Sequence, residues 1–183
     1  MKNISFSLFA ILIVAAIGCK KPIVDEHTKS IDSALTYLEA AKLTVESVST
    51  EKLNEMSAQL DEFNEFYTNE YQDTTNYVFY THELADMADC KKFFDRTKSG
   101  LVGWSKELDL TIKQLKTLKH DYENSLISKD SISFYLTTEL EASYGINSKV
   151  QKNVGMCSSC MRNFDALAFK LDSVKQYFIS IHK

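Results

Sequence analysis

The stretch from Val150 to Ile181, VQKNVGMCSSCMRNFDALAFKLDSVKQYFISI, decides the fold class. Val150, Cys157, Phe164, Leu171 and Phe178 stand seven apart, and Cys160, Leu167, Val174 and Ile181 interleave three residues later. Asn153 is the one polar residue in that frame. A seven-residue apolar repeat places one stripe along an α-helix, and a lone helix cannot cover such a stripe, so partner helices must lie on it. The frame runs back through Ile146, Leu136 and Ile132. Gly145 and Gly155 therefore sit inside the predicted helix, where each costs about 1 kcal/mol relative to Ala. A local kink or a close helix approach would account for them.

Working outward, the same period recurs. Ile31, Ala34, Leu38, Ala41, Val45 and Val48 form one stripe, and Leu53, Met56, Leu60, Phe63 and Tyr67 form a second after a phase jump. Ser49 sits at the jump, where its hydroxyl can accept from the amides of a new first turn. Leu101, Trp104, Leu108, Leu115, Leu118 and Tyr122 make a third stripe with Ile112 on its flank, and Ser128 is placed to cap the helix that follows. Between Phe79 and Phe94, Leu84, Met87, Lys91 and Phe94 align, with Lys91 spoiling the stripe. The polar run from Glu70 to Asn76 reads as a loop.

Length and composition agree with this all-α reading. The chain has 183 residues, 44% hydrophobic and 25% charged, which excludes a disordered or collagenous protein. A single Pro and 5 Gly leave too few turn formers for a many-stranded sandwich or barrel. A net charge of -4 argues against a nucleic-acid surface. Residues 27–183 read as one helical domain. Three arms, 25–70, 79–126 and 129–182, would run roughly 70, 72 and 81 Å at about 1.5 Å per residue. Their similar lengths predict an elongated antiparallel bundle of three long arms, interrupted at Ser49-Thr50 and at Ser99-Gly100. A compact bundle of five or six shorter helices is the alternative, with each interruption a full turn.

The first residues carry an address. Met1-Lys2-Asn3 leads into an apolar run from Ile4 to Ile17, closed by Ala16-Ile17-Gly18-Cys19 and followed by Lys20-Lys21-Pro22. The run is too short for a comfortable membrane span and reads as a secretory signal over residues 1–18. Its last four residues resemble the lipobox of bacterial lipoproteins, with Ala16 where that family prefers Leu. The resemblance implies that Cys19 becomes the first residue of the mature chain and carries acyl groups, with residues 19–26 as a short tether. Each buried methylene contributes about 0.8 kcal/mol, so several acyl chains hold a protein to a membrane almost permanently. Retained inner-membrane lipoproteins place Asp after the lipidated Cys. Lys20 stands there in this chain, which favours the outer membrane.

Few residues suggest chemistry. With Cys19 lipidated, Cys90, Cys157 and Cys160 remain, and an exported compartment permits disulfides. If residues 126 and 129 stand level, Cys90 faces position 165. Cys160 is then about 7 Å away along the axis and Cys157 about 12 Å, which makes the first pairing marginal and disfavours the second. Three small core residues are the simplest reading. A soft-metal site is the alternative, with Cys157 and Cys160 as thiolates and Met156 and Met161 as thioethers suited to copper or zinc. That run resembles the GMxCxxC of copper-carrying domains but lacks the residue between Met156 and Cys157. In outline the chain also resembles cytochromes of the c-prime type, yet Met161 stands where the haem-ligating His must be, so no cofactor is expected. None of His27, His82, His120 and His182 follows a Glu by three positions, as a two-metal carboxylate bundle requires. No catalytic motif is present, and Asp61, Glu62 and Glu65 read as a solvated helix face.

Phe63, Phe66, Tyr67, Tyr71, Tyr77, Phe79 and Tyr80 crowd the predicted first hinge. They either cap the core where two arms meet or form a protein-binding patch, since aromatic clusters favour interfaces. The expectation from sequence is thus a lipid-anchored, non-enzymatic structural or interaction module of the envelope, held to a membrane by its N-terminus.

Overall fold

A computed structural model describes residues 25–69 and 81–181. The predicted signal segment, Cys19, Tyr71, Tyr77, Phe79, Tyr80 and His182 lie outside the described residues. Four helices follow in order: α1 (Glu26–Glu46), α2 (Thr50–Asn69), α3 (Thr81–Glu123) and α4 (Lys129–Ile181). No strand occurs among the described residues, so the all-α class stands.

The apolar stripes form the interior. Ile31, Ala34, Leu38, Ala41 and Val45 of α1, and Leu53, Met56, Leu60 and Phe63 of α2, are buried. So are Val150, Cys157, Phe164, Leu171 and Phe178 of α4, whereas Ile181 at the fraying end is exposed. Two clusters result. One joins α1 to the Trp104–Tyr122 part of α3 and the Ile132–Val154 part of α4. The other joins α2 to the Met87–Phe94 part of α3 and the Cys157–Leu171 part of α4. Val48 packs against both. Both α1 and α2 pack on α3 and on α4.

Helix ends follow from local chemistry. Asp25 caps α1: its carboxylate accepts from the amides of His27 and Thr28, and its own amide donates to the Thr28 hydroxyl, closing a capping box. The Ser49 hydroxyl accepts from the Lys52 amide at 3.2 Å, so the break between α1 and α2 is capped as the sequence suggests. The Ser128 hydroxyl does the same for α4 through Ser131 at 3.2 Å. The end of α3 is a Schellman motif: the Leu126 amide donates to the Asp121 carbonyl and the Ser125 amide to the Tyr122 carbonyl. Ser125 takes the left-handed position, φ 60, that glycine usually fills.

Several sequence expectations are corrected. The predicted interruption at Ser99-Gly100 does not occur, and α3 is continuous through it. Side chains on a helix lean toward its N-terminus, and the Trp104 indole lies over Gly100, one turn earlier. A Cβ at Gly100 would stand inside contact distance of that ring. Gly145 and Gly155 mark no close approach: α4 runs through both as one helix of 53 residues, and nothing lies within 4 Å of a Cβ at either glycine. The α3 stripe passes through Cys90 and Thr97, both buried, rather than through Lys91. Lys91 stands beside the stripe and pairs with Asp61 of α2.

Candidate functional site

The three cysteines among the described residues meet where α3 and α4 cross the second core cluster. Cys90 and Cys160 form a disulfide with Cα atoms 5.5 Å apart. Reading all three as unpaired core residues is thus corrected, and the marginal pairing is the one formed. The reason lies at the α3–α4 turn. The Schellman motif ends α3 at Glu123, three residues before the end inferred from periodicity. Levelling residue 123 with residue 129 brings Cys160 to within about 3 Å of Cys90's height, where a disulfide fits.

Cys157 lies one turn before Cys160 but faces inward and is 1% exposed. It is the free cysteine among the described residues. Burial pushes its thiol pKa up, and the neighbouring Thr97 side chain offsets part of that rise. A buried, protonated thiol is a poor nucleophile and a poor metal ligand. The soft-metal set does not converge. Cys160 is bonded to Cys90, Met156 is exposed on another face, and Met161 is half-buried against the second cluster. Copper or zinc at Cys157 and Cys160 would require the reduced chain and a rotated helix face. Beside the disulfide a cleft of about 220 Å³ is lined by both bonded cysteines together with Asp86, Asp89, Ser159 and Asn163.

The aromatic group divides. Phe63 and Phe66 are core residues, which corrects their assignment to a partner-facing patch. Phe66 packs edge-on against Phe178 of α4, and the Lys175 ammonium lies 5.3 Å from its ring centroid. Tyr67 is half-buried, and its hydroxyl donates to the Leu171 carbonyl at 2.7 Å. Large aromatics here fill the space between α2 and α4.

Charges line the helix seams. Lys119 pairs with Asp32 at 2.6 Å, Lys116 with Glu39 at 2.9 Å and Lys42 with Asp109 at 2.6 Å, so α3 is read backward as α1 advances. Lys91 with Asp61, and Lys98 with Ser57 at 2.8 Å, continue that antiparallel order along α2. Lys149–Glu107 and Lys170–Glu83 tie α4 to α3. The Asp109 carboxylate raises the Lys42 pKa and Asp61 raises that of Lys91, each favouring the charged lysine. Asp61, Glu62 and Glu65 lie on an exposed helix face. His82 and His120 are exposed, and His27 packs edge-on against Tyr122.

The N-terminal end of α1 is fastened to the end of α3. The Tyr122 hydroxyl donates to Asp25, the first described residue. That bond holds the Asp25 carboxyl below its ordinary value of 3.8 and raises the Tyr122 phenol above 10.0. Among the described residues no group of His, Cys, Asp and Glu could hold a metal ion, and no helix is long and apolar enough to cross a membrane. Comparison with known proteins gives no match to any family model, curated protein or solved structure.

Proposed function

We propose that the protein is a lipid-anchored, non-enzymatic envelope module: acyl groups on Cys19 tether a helical rod that presents its surface to a protein partner. The observation that carries this reading is the apolar segment ending in Ala16-Ile17-Gly18-Cys19, and Lys20 beside it favours the outer membrane. Two features of the helical body support it. Charged side chains pair across the helix seams, and the Cys157 thiol is buried in the core.

The body is elongated in this proposal: α1 and α2 together make one arm, and α3 and α4 make two more, in antiparallel order. The shared direction of the charge pairs along α1 and α2 supports this, as does α4, about 80 Å long at about 1.5 Å per residue. Such a rod carries a partner-binding surface well clear of the headgroups.

Intact mass of the mature protein tests the anchor. It should begin at Cys19 with acyl groups attached, and Cys19→Ser should leave the membrane fraction. A mature chain with an unmodified Cys19 rejects the proposal. Small-angle scattering tests the shape, and a near-spherical particle rejects the three-arm rod. Pull-down from the native envelope, with and without the anchored protein, tests for the partner.

A further inference from the structure

The end of the rod nearest the proposed anchor exposes large apolar side chains among its polar ones. Asp25 is bonded to Tyr122, one residue before α3 ends, so the chain enters the described fold at the α3–α4 turn. Six peptide steps separate Cys19 from Asp25, and an extended chain of that length reaches about 20 Å. Asp25, bonded to the last turn of α3, therefore stays within about 20 Å of Cys19, whatever path the tether takes.

That turn carries Leu126, 69% exposed, with Ile127 half-buried beside it. Phe134, 74% exposed, and Tyr135, 50% exposed, follow on the first turns of α4 with their rings in edge contact. At about 1.5 Å per residue these two stand only about 8 and 9 Å up from the start of α4. This is the depth to which interfacial helices bury their apolar faces, about 5–10 Å. An open groove of about 410 Å³ between α3 and α4 continues the apolar area upward through Leu118 to Leu110, and α1 contributes nothing to its lining.

We infer that the α3–α4 turn seats on the lipid surface, with Leu126 and Phe134 immersed at the headgroup boundary and Tyr135 at its level. Aromatic rings with a polar edge favour that boundary. The inference rests on the lipid anchor of the proposed function: the tether supplies the proximity and the turn supplies the contact. The sequence at this end carries Lys29 and Lys129 along with Glu26, Asp121, Glu123 and Asp130, so its charge is mixed. The seat is therefore apolar in character and does not require anionic lipid. A rod fastened at both the tether and the turn stands up from the membrane instead of swinging about a seven-residue leash.

The test uses the full lipidated protein in phosphatidylcholine vesicles doped with brominated lipid. Trp104 is the single Trp and gives a constant buried background. Leu126→Trp adds a reporter at the turn, and Phe169→Trp adds one at an exposed site about 60 Å along α4. The added Leu126→Trp emission should be quenched at least about twofold and that of Phe169→Trp left unchanged, with or without phosphatidylglycerol. If the protein does not float with the vesicles, the anchor reading falls and this inference with it. If it floats but the turn reporter stays unquenched, the anchor stands and the seat is overturned. Quenching of both reporters means a rod lying flat, which also overturns it. A blue-shifted turn reporter in vesicle-free detergent solution, with doubled mass by light scattering, would assign the surface to a second copy of the chain instead.

Discussion

The two core clusters solve the same packing problem with different means. Where α1 lies on α3 and α4, its stripe alternates Ala34 and Ala41 with Ile31, Leu38 and Val45. Where α2 lies on them, the stripe is Leu53, Met56, Leu60, Phe63 and Phe66. Small residues let helix axes approach and large ones hold them apart, so α1 sits closer to its neighbours than α2 does. The disulfide falls in the half with the wider spacing. The difference teaches that a three-helix contact can be held by close backbone approach or by bulky side chains plus a covalent staple. Each means fits the residues around it.

The largest expected effect tests the staple. The bond joins residues 70 apart in sequence, and closing a loop of that size in the unfolded chain is worth about 4 kcal/mol. Cys90→Ala, or reduction, should lower the denaturant midpoint accordingly. Amide exchange should rise around residues 81–100 and 157–175 and stay nearly unchanged around 26–46. Equal loss of protection in both halves would break the comparison.

Overpacking comes next. Ala41→Leu should destabilise by about 1–3 kcal/mol, because the α1 side has no slack. Met56→Leu on the α2 side should cost less than about 1.5 kcal/mol. Denaturant melts of the two variants check this, and similar losses would mean that the two spacings do not matter.

Backbone substitutions give smaller changes of opposite sign. Ser125→Gly should stabilise by about 1 kcal/mol, since a left-handed residue with a Cβ costs that much. Gly103→Ala should gain a similar amount, because nothing lies within 4 Å of the added methyl. Gly100→Ala gains the same propensity but meets the Trp104 ring, so it should be destabilising. Thermal melts of the three variants would sharpen how far Trp104 stiffens the middle of α3.

The smallest effect is electrostatic. The Asp25 carboxyl is depressed in the fold, chiefly by Tyr122. Its contribution is therefore present above pH 3.8 and is lost as pH falls through the folded value, below that point. Tyr122→Phe should flatten the loss of thermal stability between pH 4 and pH 2. A slope equal to that of the parent would show that this bond does not couple to folding.

Much of this architecture could be read from residue spacing. The α4 frame, the α1 and α2 stripes and the caps at Ser49 and Ser128 follow from period and hydroxyl placement, which are local properties of the chain. What escaped was non-local or looked polar. Thr97 fills a buried stripe position that residue type alone does not announce. Cys90 and Cys160 meet because α3 ends at Glu123. That end depends on a Ser in a left-handed position, where the usual glycine signal is missing. An error of three residues at one turn was enough to misplace a bond thirty residues away. Phe63 and Phe66 resemble an exposed aromatic cluster in sequence, and Phe178, which packs on Phe66, comes from a helix more than a hundred residues later.

The sealed thiol of Cys157 has a consequence for how the molecule ages. With three sulfurs in the body, three intramolecular pairings are conceivable, and the folded protein selects one by hiding the third. Once heat opens the half around α2, Cys157 can ionise and attack the neighbouring bond, releasing a new thiolate with no net oxidation. Mispaired isomers then accumulate instead of refolding. Under such conditions endurance becomes a lifetime set by the opening rate, lengthened by acid that keeps the sulfur protonated.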